Sequence, residues 1–258
     1  MQEILQKCRR KQALGSEDAK QLQQAVHAQL KAGKKRVEQK NKDGKYIAYF
    51  QAYTNTYAPV SYLKEIFDAA IEADDIVALS IATRPDCLDT EVLSLLEDLR
   101  KRKPVWVELG LQTIHEDTAN YIRRGYTLSV YDEAVRQLRK RGIEVITHVI
   151  LGLPGETKDM MKETVAYVGD SGVQGIKLQL LHVLKGTDLE QEYLAGHCPV
   201  FTMDEYVELV VDCLELLPKD MVIHRMTGDG DKKQLVAPLW SADKKRVWNA
   251  LQKEIAKR

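Results

Sequence analysis

The chain places its chemically capable side chains at the ends of apolar runs. In "VWVELGLQT" an apolar run is interrupted by Glu108 and closes on Gln112. A core has no use for an unpaired carboxylate, because burying a charge without a partner is expensive. A ligand site does have a use for one. Gln51, Thr54 and Asn55 likewise follow "KYIAYF", and Thr83, Arg84 and Asp86 follow "DIVALSIA". His148 precedes the turn "GLPGE", Gly152 to Glu156. His182, Lys185 and Thr187 close "GIKLQLLHVLKGT", and His224, Arg225, Thr227 and Asp229 close "DMVIHRMTGDG". A lone histidine in an apolar run is ordinarily a satisfied core residue. Six polar endings of the same kind point to a rim that binds a ligand.

Several chemistries are weighed against this pattern. The amides of "GLPGE" and "TGDGD" suit a carboxylate or a phosphate. Neither stretch is a Walker A loop or a Gly-x-Gly-x-x-Gly turn, so glycines alone do not make a nucleotide site. Arg84 has a plainer reading, a turn in which it pairs with Asp86 or Glu108. His148, His182 and His224 fall on separate strands, so a three-histidine metal site is geometrically open but has no supporting spacing. No Gly-x-Ser-x-Gly elbow is present, which leaves hydrolase chemistry without support.

The elements that must carry these residues alternate. From Lys45 onward, apolar runs of strand length exchange with amphipathic helices such as "APVSYLKEIFDAAIEAD" and "TMDEYVELVVDCLELLP", joined by short Gly-rich links. Continuous apolar strands are what parallel strands covered on both faces look like. Their alternation with helices implies right-handed βαβ units, with ligands at the carboxyl ends of the strands. About six strands are countable, fewer than the eight of a closed barrel. The expected class is therefore α/β, a partial parallel (β/α)6-type TIM-like barrel spanning 45–258. Residues 1–45 form a polar N-terminal segment. Its apolar positions Leu22, Ala25, Val26 and Leu30 recur at helical spacing, Ser16 is a candidate cap, and "KNKDGK" reads as a turn.

Bulk properties narrow the class further. Lys plus Arg and Asp plus Glu both number 38 in 258 residues, so the formal net charge is zero. A dedicated nucleic-acid binder would show a basic excess. Cys8, Cys87, Cys198 and Cys213 lie far apart, without metal or redox spacing. No signal peptide and no membrane-length apolar run is visible. A cytoplasmic protein with reduced thiols is expected.

Taken in order, "YFQAYTNTYAP", "SIATRPDCL", "WVELGLQT", "RRGYT", "THVILGLPGET", "LLHVLKGT", "VIHRMTGDG" and "APLWS" resemble the YtqA/YhcC-like subfamily of radical S-adenosylmethionine (radical SAM) proteins. The resemblance runs from about Lys45 to the C-terminus. It implies a partial (β/α)6 barrel. It also implies a [4Fe-4S] cluster held by three cysteines in the loop after the first strand. There S-adenosylmethionine is cleaved to methionine and a 5'-deoxyadenosyl radical, and the protein positions the groups and keeps water out. By motif position the resemblance puts Thr83, Arg84, Glu108 and Gln112 at the cofactor. Arg124 falls at its carboxylate, and His148 with Gly152, Gly155 and Glu156 near its adenine. Gln51, Asn55, His182, Lys185, His224 and Arg225 would face substrate. The implied substrate is the wobble uridine of tRNA, with an electron donor such as flavodoxin or ferredoxin as partner. No residue is singled out as catalytic.

The chain departs from that family at one place. The first barrel strand and the three-cysteine motif are missing, and Cys8 in "QKCRRKQ" is the one thiol in that region. One thiolate cannot hold a cubane cluster. Three readings stay open: a fragment of a radical SAM enzyme, the product of a truncated gene, or a cluster-free pseudoenzyme that binds S-adenosylmethionine, a nucleotide or RNA. A barrel without its first strand would also leave "KYIAYFQAY" as an open apolar edge. Such edges invite self-association, or cover by the N-terminal helix.

Overall fold

The computed structural model describes residues 15–38, 44–228 and 230–258. Cys8, most of the "KNKDGK" turn and Asp229 lie outside them. The chain divides into two compact units, residues 1–109 with 133–145, and residues 110–132 with 146–258.

The first unit contains helix α1 (Ser16–Glu38), strand β1 (Tyr46–Phe50), helix α2 (Val60–Ile71), strand β2 (Ile76–Thr83) and helix α3 (Thr90–Arg100). Strand β3 (Val105–Gln112) begins there. Asp89 caps α3, its carboxylate accepting from the Val92 amide at 2.8 Å. The same helix buries Val92, Leu93, Leu95, Leu96 and Leu99, the spacing of one apolar face. In α1 the Gly15 carbonyl takes the first helical bond, so Ser16 is the first helical residue and not the cap. Asp18, in the first turn, accepts from the Gly15 amide at 2.9 Å. Helix α1 lies along α2, with Leu22 buried and Gln23 donating to Glu65 at 2.9 Å. It reaches β1 through Lys34, which pairs with Asp75 and lies 5.9 Å from the centre of the Tyr46 ring. Ile47 and Tyr49 stay 49% and 39% exposed.

The second unit holds helix α4 (Glu116–Tyr121), the start of α5 (Leu128–Lys140) and most of β4 (Glu144–Leu151). It continues with helix α6 (Lys158–Asp170) and strands β5 (Gly175–Leu180) and β6 (Val183–Leu184). Helices α7 (Asp188–Leu194) and α8 (Met203–Glu215), strands β7 (Val222–Arg225) and β8 (Leu235–Ala237), and helix α9 (Lys244–Ile255) complete it. Helix α8 opens on a full capping box, Thr202 with Glu205. Helix α7 and the small antiparallel pair β6–β8 are absent from the sequence reading.

The strands form one six-stranded sheet in the order β1-β2-β3-β4-β5-β7. The pairs β1–β2, β2–β3, β4–β5 and β5–β7 are parallel. A parallel sheet in chain order is the architecture that the βαβ alternation predicts. Among the described residues no helix is long and apolar enough to cross a membrane.

Within each unit the strands have two unlike faces. In the first, the Phe50 ring meets Phe67 of α2 edge-on at 5.0 Å, so alternation turns Tyr49 away from that helix. Register pairs Tyr49 with Ser80 and Ala82 with Glu108. Ala78, Ser80, Ala82 and Glu108 thus share the face of Tyr49, while Leu79 and Ile81 take the other. In the second unit the Tyr131 hydroxyl of α5 lies 2.7 Å from that of Thr147. His148 therefore points away from α5, together with its register partner Lys177 and with Gln179. The face turned from the helix carries Tyr49, Ser80 and Glu108 in the first unit, and His148, Lys177 and Gln179 among Ile146 and Ile150 in the second.

Candidate functional site

In the first unit the polar face is organised around Glu108. Glu108 is 3% exposed. One oxygen accepts from the Tyr49 hydroxyl at 2.7 Å and the other from the Ser80 hydroxyl at 2.7 Å. A buried strand can carry this glutamate because two neighbouring strands supply hydroxyl donors to it. The two hydroxyls fix the orientation of this carboxylate on the face it shares with Tyr49.

Other rim residues of this unit prove to be braces. The Asn55 amide donates to the Phe50 carbonyl at 2.9 Å and the Ala82 carbonyl at 2.8 Å, tying the ends of β1 and β2 together. Thr83 is buried against Thr56, hydroxyl to hydroxyl at 2.6 Å, and Thr56 also donates to the Cys87 carbonyl at 2.6 Å. Arg84 forms a two-pronged pair with Asp86, at 2.9 Å and 2.7 Å, which is the turn geometry weighed from sequence. Gln51 is exposed beside this loop.

In the second unit Gln112 ends β3 with a left-handed backbone, φ 68°. Its amide nitrogen lies 2.6 Å from where a Cβ on Gly110 would sit, so the glycine makes room for it. Arg124 fixes the connection that follows. Its side chain is 1% exposed and donates to the carbonyls of Thr113 (2.6 Å), Tyr126 (2.9 Å) and Leu111 (3.3 Å), and to Glu116 (3.1 Å). The guanidinium also stacks 5.0 Å from the centre of the Tyr126 ring.

Glu156 sits in the turn after β4 with the Thr113 hydroxyl on one oxygen, while its other oxygen is buried without a hydrogen-bond partner. Burial pushes its carboxyl pKa up, against the opposing pull of the Thr113 hydroxyl and His115. Gly152 and Gly155 supply the left-handed conformations of that turn, φ 93° and 82°. His148 Nδ1 lies 2.9 Å from the Gln179 amide nitrogen. With the amide donating, the ring accepts at Nδ1 and carries its proton on Nε2.

Gly228 and Gly230 close around His182, since a Cβ on either would come within 2.4 Å and 2.6 Å of the ring. Lys185 is exposed, its backbone amide bonded to the Gln234 carbonyl at 2.9 Å. His224 is exposed and Arg225 half-buried on β7. Sequence reasoning missed four members of the polar faces: Tyr49, Ser80, Lys177 and Gln179. They lie inside the strands and not at their ends.

An iron–sulfur cluster finds no donor set among the described residues. Their cysteines are Cys87, Cys198 and Cys213, and the last two are buried. Burial, then the carboxylate of Asp86, pushes the Cys87 thiol up. Burial pushes that of Cys213 to about 12, so both stay protonated at neutral pH. No group of three or more His, Cys, Asp or Glu among the described residues is placed to hold a metal ion.

Comparison with known proteins adds the following. Residues 18–168 match the radical SAM superfamily, and residues 173–257 match the radical SAM C-terminal domain. YtqA of Bacillus subtilis strain 168 is 51% identical over 225 residues, covering 87% of this chain and 70% of that protein. YhcC of Escherichia coli K12 is 37% identical over 201 residues, covering 78% and 65%. A tRNA uridine(34) acetyltransferase of Methanocaldococcus jannaschii is 29% identical over 157 residues, covering 59% of this chain and 28% of that protein. The structure of Methanocaldococcus infernus Elp3 lacking residues 1–46 superposes with a TM-score of 0.70 at 20% identity, over 91% of this chain and 58% of that one. The chain therefore spans 65–70% of the length of the first two relatives.

Proposed function

The chain belongs to the radical SAM superfamily, and from that membership we propose that it binds S-adenosylmethionine on the polar strand faces. Glu108, buried yet held by two hydroxyls, is the observation that carries this reading. A carboxylate so placed receives the ammonium of the methionine end or a ribose hydroxyl. In the second unit Gln112 presents an amide, and Arg124 braces the turn that carries it. His148 and the Gly152–Glu156 turn are assigned to the adenine side. Thr83, Asn55 and Arg84 hold the loops at the rim, with Gln51 open to substrate. His182, Lys185, His224 and Arg225 are assigned to substrate.

Within this family the radical comes from a reduced iron–sulfur cluster. The described residues do not provide its ligands, so what they contribute is binding and orienting. An active form requires cluster thiolates and an electron donor of the flavodoxin or ferredoxin type. The finer reading of the substrate is tRNA at the wobble uridine. It is supported by the 29% identity to the tRNA uridine(34) acetyltransferase, over 59% of this chain.

Calorimetric titration with S-adenosylmethionine tests the proposal. The chain should bind it, and Glu108→Gln should weaken binding about 10- to 100-fold, the worth of a hydrogen bond to a charged group. No binding to the wild type overturns the reading. Anaerobic reconstitution with iron and sulfide then separates the enzyme from the cluster-free binder. Visible cluster absorption with cleavage of the cofactor marks the first, and a colourless chain that still binds marks the second.

A further inference from the structure

Two tyrosines in the loop that follows β1 stand in water. Tyr53 is 98% exposed and Tyr57 is 83% exposed. Neither ring is buried in the core, so the hydrophobic effect does not account for them. Tyr53 also has a left-handed backbone, φ 62°, a conformation that a bulky side chain disfavours. Glycine or asparagine would turn the chain there with less strain.

The loop beneath the rings is fixed. The Tyr57 amide donates to the Thr54 carbonyl at 3.4 Å, which closes a turn between the two tyrosines. Inside that turn the Asn55 side chain is bonded to the Phe50 and Ala82 carbonyls. Thr56, which is 3% exposed, is bonded to Thr83 and to the Cys87 carbonyl. Asn55 and Thr56 thus anchor the turn, and the tyrosines that flank them are left outside. An aromatic side chain on a preorganised loop loses little freedom when it meets a partner.

The chemistry of the loop narrows the partner. Residues 46–63 contain no charged side chain, and Arg84, in the turn that Thr56 reaches, is paired with Asp86. The loop therefore offers two π-faces and no charge for an anion. Planar bases stack on such faces with little regard to sequence. The loop leaves the carboxyl end of β1, the end at which a parallel sheet receives its ligand. A base splayed out of a single-stranded segment suits that place.

We infer that Tyr53 and Tyr57 form a stacking platform for a nucleobase of the substrate. The inference rests on the reading of tRNA as substrate and deepens it, since it names the residues that would hold a base.

The test uses the full chain and a single-stranded RNA carrying one fluorescent aminopurine base, whose emission falls on stacking. The same RNA with an abasic site in that position is the competitor. Wild type should quench the emission saturably, and the abasic strand should compete poorly. Tyr53→Leu and Tyr57→Leu should each weaken binding about 5- to 100-fold. Tyr53→Phe keeps the π-face and should restore it. Both side chains are exposed, so circular dichroism should show all variants folded. No quenching by wild type, or undiminished binding to both leucine variants, overturns the inference. A wild-type dimer that Tyr53→Leu turns into monomers, without quenching by either, gives the rings to an interface between copies and also overturns it. Equal competition by the abasic strand sinks the platform and leaves RNA as a ligand. Titrating S-adenosylmethionine into the same proteins keeps the cofactor reading apart. Tyr53→Leu should bind the cofactor as wild type does, and a loss there would give the rings to its adenine and overturn the inference. Quenching without cofactor binding sinks the cofactor reading and supports the platform.

Discussion

The Tyr49 hydroxyl on β1 reaches over β2 to donate to Glu108 on β3 at 2.7 Å. Ser80, on the strand between, holds the second oxygen. The two donors differ in access to water, since Ser80 is buried and Tyr49 partly exposed. Removing either takes one hydroxyl bond from the carboxylate, at about 1–3 kcal/mol. Water can replace the phenol but not the serine. Ser80→Ala should therefore destabilise more than Tyr49→Phe, as read from urea midpoints. The reverse order would contradict the geometry.

Asn55 acts as a clamp. Asn55→Ala removes two side-chain bonds and leaves the Phe50 and Ala82 carbonyls without them. A loss of about 1–3 kcal/mol is expected, with faster amide exchange in residues 51–59. An unchanged unfolding midpoint would leave Asn55 without a bracing role.

Glu156 should give stability a pH dependence. Burial raises its carboxyl pKa in the fold, so the neutral form is the one the fold favours. Such a contribution is complete below the unfolded value of about 4.3 and is lost as pH rises through the folded pKa. Glu156→Gln removes the titration and keeps an acceptor for Thr113. Wild type and variant should match near pH 4, and the variant should gain on wild type towards neutral pH. Parallel denaturation curves at both pH values would refute the assignment.

The glycines around His182 make a steric prediction. Gly228→Ala places a methyl group 2.4 Å from His182 Cε1. The ring must move, at about 1–3 kcal/mol of overpacking. Thermal unfolding and the His182 ring resonances should both shift. A silent substitution would mean the loop does not close on the ring.

Much of the sheet was legible from the exchange of apolar runs with amphipathic helices, because parallel strands and their crossovers impose that rhythm. Reading strand ends singled out Glu108, Gln112, His148 and His182. It does not tell what several neighbours do in the fold, since a polar residue at a strand end can serve the backbone as readily as a ligand. Asn55 ties two carbonyls, Arg84 closes its own turn on Asp86, and Arg124 is enclosed by carbonyls. The partners that explain Glu108 and His148 lay hidden within runs that look simply apolar. A signal for Lys177 and Gln179 was present all the same. They alternate with Ile176, Leu178 and Leu180, the period of a strand with one polar side. Tyr49 and Ser80 carried no such mark, because their meaning depends on a register that spacing alone does not supply.

Gln112 keeps a left-handed backbone that glycine would adopt without strain. If durability were the sole criterion, selection would replace it, since Gln112→Gly should relieve about 1–2 kcal/mol of local strain. On the proposed reading, the glutamine marks a position where robustness and ligand recognition pull in opposite directions. An effort to harden this protein against heat would then find an easy gain at a residue its ligand site uses.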